Sequence, residues 1–300
     1  MVEDVLIVGA GPAGLAVALQ LQRYGLIPRI FEHSHPGGLL WNANLVENYP
    51  GFPGGISGPD LAQTFLKQVE GMKITRESVV ELTWKEGIFH AKTPLYTYQA
   101  KVAVIASGTK PRTLTGLAIP PELLGNVVYE IINLLESDGK RMVIVGSGDA
   151  AFDYAINLAR NNSVIILNRN EQVKCLPRLL DQALTCQNIT YRPGTAILKV
   201  EVCPEGGMFV ECSSPCGMME IPADYLVGAI GREPQLDFVS ASLMERSADF
   251  EKMGILHFVG DVKNGMFRQV ALAVGDGIRA GMLIYQTLKE NADESNRLNR

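Results

Sequence analysis

Short apolar runs alternate along the chain with segments of helical period, and two of these alternations share one design. Residues 4–8, DVLIV, form an apolar run too short for a helix, and Gly9-Ala-Gly11-Pro12-Ala13-Gly14 follows directly. LAVALQLQRY then carries apolar residues at helical spacing, so the segment predicts strand, tight turn and helix. A second strand, IPRIF, ends in Glu32, 18 residues beyond Gly14. The pattern recurs where Arg141-MVIV leads into Gly146-Ser-Gly148-Asp149-Ala150-Ala151, a helix FDYAINLAR and a strand SVIILN. AKVAVIAS before Gly108 and DYLVGAI before Gly231 read as further strands, and KVEVCPEGGMFVEC reads as a hairpin turning at Gly206-Gly207. A long helix is predicted from about Phe267 to Lys289, and it contains Gly275, Gly277 and Gly281. Each glycine costs about 1 kcal/mol against alanine inside a helix. Either another element approaches this helix closely or the helix packs poorly.

The glycines of the first turn have separate tasks. The first permits the turn, the second lets a pyrophosphate approach the backbone, and the third lets helix and strand pack closely. The helix N-terminus then offers free N–H groups and a partial positive charge to the phosphates. Glu32 stands near the separation of about 20 residues expected of an acid that accepts from the ribose hydroxyls of an adenosine. In the second copy Ala151 takes the third glycine position, which the fingerprint allows, and the strand ends in Asn168-Arg169-Asn170 with Lys174 shortly after. No carboxylate there repels a 2′-phosphate, and Arg169 and Lys174 could hold one. The alternative is a solvated Arg and Lys beside a nucleotide fold that has lost its ligand.

Composition narrows the classes. A chain of 300 residues with 47% hydrophobic and 20% charged residues is long enough for two domains and too apolar for disorder. A net charge of −5 provides no bulk positive field for nucleic acid or anionic lipid. The start carries acids where a signal peptide needs positive charge, and no apolar run approaches a membrane span, so a cytoplasmic protein is expected. All five cysteines fall between Cys175 and Cys216, which fits a reducing compartment, and Cys212 and Cys216 lack the second pair that a zinc site needs. No metal is expected.

Taken together, GAGPAGLA, PGGLLWNANLVENYPGFPGGISGPDL at 36–61, VIASGTKPR at 104–112, VGSGDAAFDYA at 145–155, AIGREP at 229–234 and GDVKNGMFRQVALAVGDGIRAG at 260–281 resemble the low-molecular-weight thioredoxin reductase family of flavoproteins. The resemblance implies an α/β fold with two Rossmann-like dinucleotide-binding domains: an FAD domain at 1–114 and 235–300, split by an inserted NAD(P)H domain at 115–234. It implies that Gly9, Gly11, Pro12, Ala13 and Gly14 hold the FAD pyrophosphate and Glu32 the ribose. Gly38, Leu39, Leu40 and Asn48 would lie at the flavin half, Val80 beside the adenine, and Ala106, Ser107 and Gly108 along the phosphates. Asp261 would meet the ribityl chain, and Arg268, Gln269 and Val270 would open the last helix under the flavin ring. For NADPH, with NADH as the alternative, the implied residues are Gly146, Gly148, Asp149, Ala150, Arg169 and Lys174. The resemblance also implies a homodimer.

The chain departs from that family where the chemistry is most specific. The redox Cys-x-x-Cys of a thioredoxin reductase is replaced by Tyr129-Glu130-Ile131-Ile132, Leu39 replaces a glutamine, and the phosphate-binding basic cluster is thinned to Arg169 and Lys174. Loss of the cysteines, together with VVYEI and GSGDAAFDYA, looks like the thioredoxin-reductase-type ferredoxin–NADP reductases, which dispense with the disulfide. Those reductases usually add an aromatic C-terminal extension, whereas here NADESNRLNR reads as disordered or weakly helical. The leading reading is an FAD oxidoreductase that moves electrons between a pyridine nucleotide and an external acceptor, a one-electron protein such as ferredoxin, docked on a basic patch that includes Arg29, Lys110 and Arg112. Two other readings stay open: a disulfide reductase working through Cys212 and Cys216, with the pair otherwise two thiols at an exposed edge, and a flavin or nucleotide sensor without turnover. No residue is singled out as catalytic, because the flavin carries the chemistry.

Overall fold

Val2–Val8 forms strand β1, and the glycine turn after it leads into helix α1 (Pro12–Arg23). The structure, a computed structural model, describes residues 2–298, with side chains up to Asn291. From α1 the chain continues through β2 (Arg29–Phe31), a 3-10 turn at Gly38–Asn42, α2 (Gly58–Gln68), β3 (Ile74–Thr75), β4 (Glu81–Lys85), β5 (Ile88–Lys92), β6 (Thr97–Ile105) and β7 (Thr109–Pro111). There follow β8 (Val127–Val128), β9 (Arg141–Val145), α3 (Asp149–Leu158), β10 (Ser163–Leu167), α4 (Pro177–Thr185) and β11 (Ile189–Arg192). The predicted hairpin is β12 (Ala196–Val202) with β13 (Met208–Ser214), extended by β14 (Gly217–Ala223). β15 (Tyr225–Gly228), β16 (Arg232–Pro234), α5 (Ala241–Glu245), α6 (Ser247–Lys252), β17 (Leu256–Phe258) and α7 (Val270–Leu298) complete the order.

The chain divides into two units: residues 1–41, 46–110 and 234–300 form one, and residues 42–45 and 111–233 the other. In the first unit the strand order is β3-β2-β1-β6-β5-β4, with β17 also paired to β6. β1, β2, β3, β6 and β17 run parallel, β5 folds back antiparallel onto β6, and β4 pairs antiparallel with β5 at the sheet edge. In the second unit β11-β10-β9-β15-β8 is parallel throughout, and β12-β13-β14 is a separate antiparallel sheet. Both parallel sheets place the first strand of their βαβ unit between the second strand and a later one. A crevice therefore opens beyond the C-terminal ends of β1 and of β9, where each glycine turn lies. These are the two Rossmann-like folds that the repeated pattern predicts.

Alternation along the strands explains why they read as continuous apolar runs. On β9, Met142 and Ile144 pack with α3, while Val143 faces the layer formed with β12–β14; Val164 and Ile166 on β10 repeat the first choice, and Leu167 the second. A parallel sheet covered on both faces needs apolar residues at every position. In the first unit Leu6 and Val8 of β1 share a core with Phe31, Phe89 and Phe250.

The last helix begins at Val270 rather than Phe267 and runs past Lys289 to Leu298, so the tail expected to be disordered or weakly helical is helical up to that residue. Residues 299 and 300 lie outside the described residues. Its glycines are explained by α1. A Cβ on Gly277 would lie 2.3 Å from Ala13 O and 2.8 Å from Ala16 Cβ, and one on Gly281 would lie 2.8 Å from Gln20 Cβ. The reading of a poorly packed terminal helix is thereby corrected, because α7 lies against α1 at backbone range. Gly275 differs, since nothing lies within 4 Å of a Cβ built there. Gly277→Ala is therefore expected to destabilise by about 1–3 kcal/mol through forced separation of the two helices. Gly275→Ala should stabilise by up to about 1 kcal/mol. Urea unfolding of the two variants checks both signs.

Candidate functional site

The first glycine turn is built so that no other residue fits two of its positions. Gly9 adopts φ +107°, and a Cβ on it would lie 2.3 Å from Ala106 O, while a Cβ on Gly14 would lie 2.0 Å from Gly9 O. Close strand–helix packing thus rests on Gly9, Gly14 and the backbone at Ala106. Gly11 is different: it caps α1 with no side-chain hydrogen bond, Pro12 follows as the first helical residue, and open space surrounds its Cβ position. The second glycine therefore leaves a cradle at the helix N-terminus where a pyrophosphate fits. Glu32, 7% exposed, lies across the turn with Oε2 accepting from the Ala10 amide at 2.9 Å and Oε1 from the Ser34 amide at 2.8 Å. Its orientation is fixed, and each carboxylate oxygen keeps a second lone pair.

The remaining positions read for the flavin cofactor lie around this turn in part. Gly38, at φ +58°, approaches Gly11 so closely that a Cβ would lie 3.2 Å from Gly11 Cα. Leu39 is half-buried and Leu40 buried in the turn that Gly38 opens. Asn48 Nδ2 donates to Gln269 Oε1 at 2.6 Å, which joins the segment 36–61 to the start of α7. Ser107 Oγ donates to Gln235 O at 2.6 Å, and Gly108 takes φ +64°. Asp261 stands in a 3-10 turn at Gly260–Val262, and Arg268, half-buried, and Gln269 precede Val270, the first residue of α7. Val80 is exposed, its amide donating to Lys92 O at 2.8 Å, and it has no described contact with the other candidates. Sequence reasoning missed Asp276, which accepts from Gly260 and Asn264; its signal was an acid between two helix glycines.

The second turn repeats the first with one difference. A Cβ on Gly146 would lie 2.3 Å from Ala229 O and 3.2 Å from Ala151 Cβ, so the third position tolerates a methyl here. Gly148 caps α3 without a side-chain bond and with open space around it, and Ala150 is exposed beside it. Asp149 is occupied locally, its Oδ1 accepting from the Leu176 amide at 2.8 Å. Lys174 is drawn to the turn by its own amide, which donates to Ser147 O at 2.8 Å. Asn168 is buried and structural: its amide nitrogen donates to Gln172 O and Tyr191 Oη, and its Oδ1 accepts from Asn170. That network shapes the loop on which Arg169 is exposed. Arg169 and Lys174 form no ion pair among the described residues.

The segment standing in place of a redox pair is fixed by backbone bonds. Asn42, 3% exposed, accepts on Oδ1 from the amides of Ile131 and Ile132 at 2.8 and 3.0 Å. Glu130 pairs with Arg232 at 3.0 Å, and Tyr129 Oη accepts from the Leu114 amide. Asn44 donates its amide to Asp153 Oδ2 at 2.9 Å and accepts on its side chain from Arg160 at 2.6 Å. Burial pushes the Asp153 carboxyl up to about 6, against the opposing pull of the Asn44 and Leu45 amides and of Arg160.

The cysteine reading requires correction. Cys212 is fully buried on β13, because strand alternation turns it into the core beneath Leu167, and burial pushes its thiol up to about 11. Cys216 is exposed beyond the strand end, and both thiols are free. The two are not a pair of thiols at an exposed edge, and a buried thiol held protonated is a poor nucleophile. Two members of the expected basic patch are also committed elsewhere: Arg29 Nε donates to Glu3 at 2.7 Å with its guanidinium over the Tyr98 ring, and Lys110 pairs with Asp237. Arg112 is exposed. Among the described residues, no helix is long and apolar enough to cross a membrane, and no three His, Cys, Asp or Glu residues gather as a metal site.

Comparison with known proteins agrees with this geometry. The family model of pyridine nucleotide-disulphide oxidoreductases matches residues 3–251. A thioredoxin reductase of Borreliella burgdorferi is 27% identical over 96% of this chain and 93% of its own. A ferredoxin–NADP reductase of Ignicoccus hospitalis is 32% identical over 77% of this chain and 78% of its own. The crystal structure of Lactococcus lactis thioredoxin reductase superposes with a TM-score of 0.83 at 25% identity, covering 96% of this chain and 99% of that one.

The raised Asp153 carboxyl sets a pH dependence. Because it binds its proton more tightly folded, near 6, than unfolded, near 3.8, its charged form costs stability above pH 6, and the cost disappears as pH falls towards 4. Asp153→Asn keeps an acceptor for the Asn44 amide without the charge. It is expected to unfold at higher urea than wild type at pH 8, by about 1–2 kcal/mol, with the gap closing by pH 4.5. Parallel pH profiles would contradict this origin.

Proposed function

This chain belongs to the pyridine nucleotide-disulphide oxidoreductase family, and from that premise we propose that it passes electrons from NADPH through FAD to a one-electron protein acceptor of the ferredoxin kind, without an internal disulfide relay. That it is an FAD-dependent NADPH oxidoreductase follows from the family and its relatives. In this proposal the acceptor takes electrons from FAD directly. The observation that carries it is the segment Tyr129–Ile132, which has no thiol and whose two isoleucine amides are held by Asn42. All five cysteines are free, and Cys212 of the pair read as a replacement is fully buried.

In this reading the unit containing α1 holds FAD. Its pyrophosphate would lie against the α1 N-terminus over Gly11, its ribose hydroxyls on Glu32, and its flavin end near Gly38, Asn48 and the Arg268–Val270 start of α7. When bound, FAD supplies the hydride acceptance and electron release that no side chain here can supply. The protein's part is to bind and orient it. Asn48 and Gln269 hold each other, and the α7 N-terminus would offer positive dipole to the negative charge of a reduced flavin. The unit containing α3 would hold NADPH, with Gly148 opening the pyrophosphate cradle and Arg169 and Lys174 on the loop that meets a 2′-phosphate. Two exposed cations limit the preference for NADPH over NADH to about ten- to a hundredfold.

Anaerobic stopped-flow mixing with NADPH and with NADH at limiting concentration, followed by flavin absorbance, tests the nucleotide assignment. Fast bleaching by NADPH and slower bleaching by NADH are expected, with Arg169→Ala erasing most of the difference. Equal rates in wild type would contradict the phosphate site, and no bleaching with either would favour a sensor. For the acceptor, turnover with ferredoxin is expected to exceed disulfide turnover with thioredoxin. A Cys212→Ser, Cys216→Ser variant should leave both unchanged, and loss of a rapid disulfide turnover in that variant would overturn the proposal.

A further inference from the structure

α7 passes α1 so closely at Gly277 that the preceding residue, Asp276, is carried up to the turn Gly260–Val262. Its carboxylate is the acceptor on which that turn and the following loop converge. Oδ2 accepts from the Gly260 amide at 3.2 Å and from Asn264 Nδ2 at 2.8 Å, and Oδ1 lies 3.4 Å from Lys263 Nζ. Gly260 itself is buried and wedged, since a Cβ on it would lie 2.8 Å from Ala13 Cβ and 3.5 Å from Ala273 Cβ. One carboxylate therefore gathers three donors of a single loop at the point where that loop, the first turn of α1 and the early turns of α7 meet. The helix itself does not call for this residue: aspartate is a weaker helix former than alanine, and here it sits between two glycines. What it holds explains its presence.

We propose that Asp276 is a positioning residue for the flavin site, setting Asp261 and the Arg268–Val270 start of α7 relative to Ala13 and the pyrophosphate cradle; this rests on the assignment of that loop to FAD made above. Without the carboxylate, the buried Gly260 amide loses its acceptor and Asn264 loses its tie to α7. The loop then samples more conformations, and the groups it carries no longer stand in one register with α1. Gly260, Asn264 and Lys263 all lie within the sequence 260–264, so their shared acceptor fixes the start of the loop, while Asn48 on Gln269 fixes its end.

The test compares Asp276→Ala and Asp261→Ala with wild type by reconstituting apoprotein with FAD, and reads the FAD dissociation constant and the midpoint potential of the bound flavin. Asp276→Ala is expected to weaken FAD about tenfold, in the range typical of residues that orient a ligand shell, and to shift the potential. Lys263→Ala, which removes only a partly exposed partner, should stay within about twofold of wild type. Weaker binding with an unchanged potential would make Asp276 merely structural and overturn the proposal. So would an Asp276→Ala protein that binds FAD as wild type while Asp261→Ala does not. If both variants bind as wild type, the assignment of the loop to FAD falls, and the positioning role falls with it. Should Asp276→Ala fail to fold, Asp276→Asn retains one acceptor and is expected to lie between wild type and the tenfold loss; wild-type affinity and potential in that variant would count equally against the role.

Discussion

The arrangement of the first unit depends on how near α7 comes to α1. At Gly277 and Gly281 the two helices meet at backbone range, and at Gly260 the turn before α7 meets the first turn of α1. A methyl group at any of these points would push the elements apart by more than a side-chain adjustment can absorb. The first turn of α1 carries the glycine turn, and the turn before α7 carries Asp261, so one set of small contacts registers the two segments proposed to hold FAD. Packed interfaces of this kind admit few intermediate arrangements. That is why glycines, individually unfavourable in a helix, are used where they sit.

Both glycine turns follow the same physical rule with different tolerances. Gly9 and Gly146 each lie against a carbonyl of the strand end across the crevice, at Ala106 and Ala229, and each would clash at 2.3 Å if it carried a Cβ. The third position separates them: Gly14 cannot accept a methyl, whereas Ala151 already has one. The residues at the end of the second strand diverge further. Glu32 directs a fixed carboxylate across its turn, while Asn168 spends its amide on its own loop, beside which Arg169 and Lys174 are exposed. One scaffold thus presents a buried carboxylate beside its glycine turn in one unit and exposed cations in the other.

Much of this was legible in the sequence because it rests on local requirements. The runs DVLIV and RMVIV and the glycine spacing each answer to strand and turn geometry within about thirty residues. Contacts between distant segments were not legible. Nothing in the pattern distinguishes residues 42–45 from their neighbours, yet Asn42 and Asn44 bind the unit that contains α3, across roughly ninety to a hundred and ten residues of sequence. The purpose of Gly277 and Gly281 needed α1 in place, and Gly275 showed that adjacent glycines need not share a cause. Cys212 and Cys216 read as a pair because they are close in sequence, but strand alternation buries Cys212 while Cys216 is exposed in the turn beyond β13. The start of α7 was misplaced because Phe267 continues the apolar pattern, although its amide closes a turn onto Asn264.

In the proposed electron transfer, bound flavin is the sole store of electrons in this chain, since Tyr129–Ile132 supplies no disulfide and Cys212 is buried. Anaerobic titration of the purified holoprotein with dithionite, followed by visible absorbance, counts that store directly. Full reduction is expected at about two electrons per FAD. Uptake of about four, with a second redox couple discharged before or after the flavin bleaches, would show a reducible disulfide and contradict it.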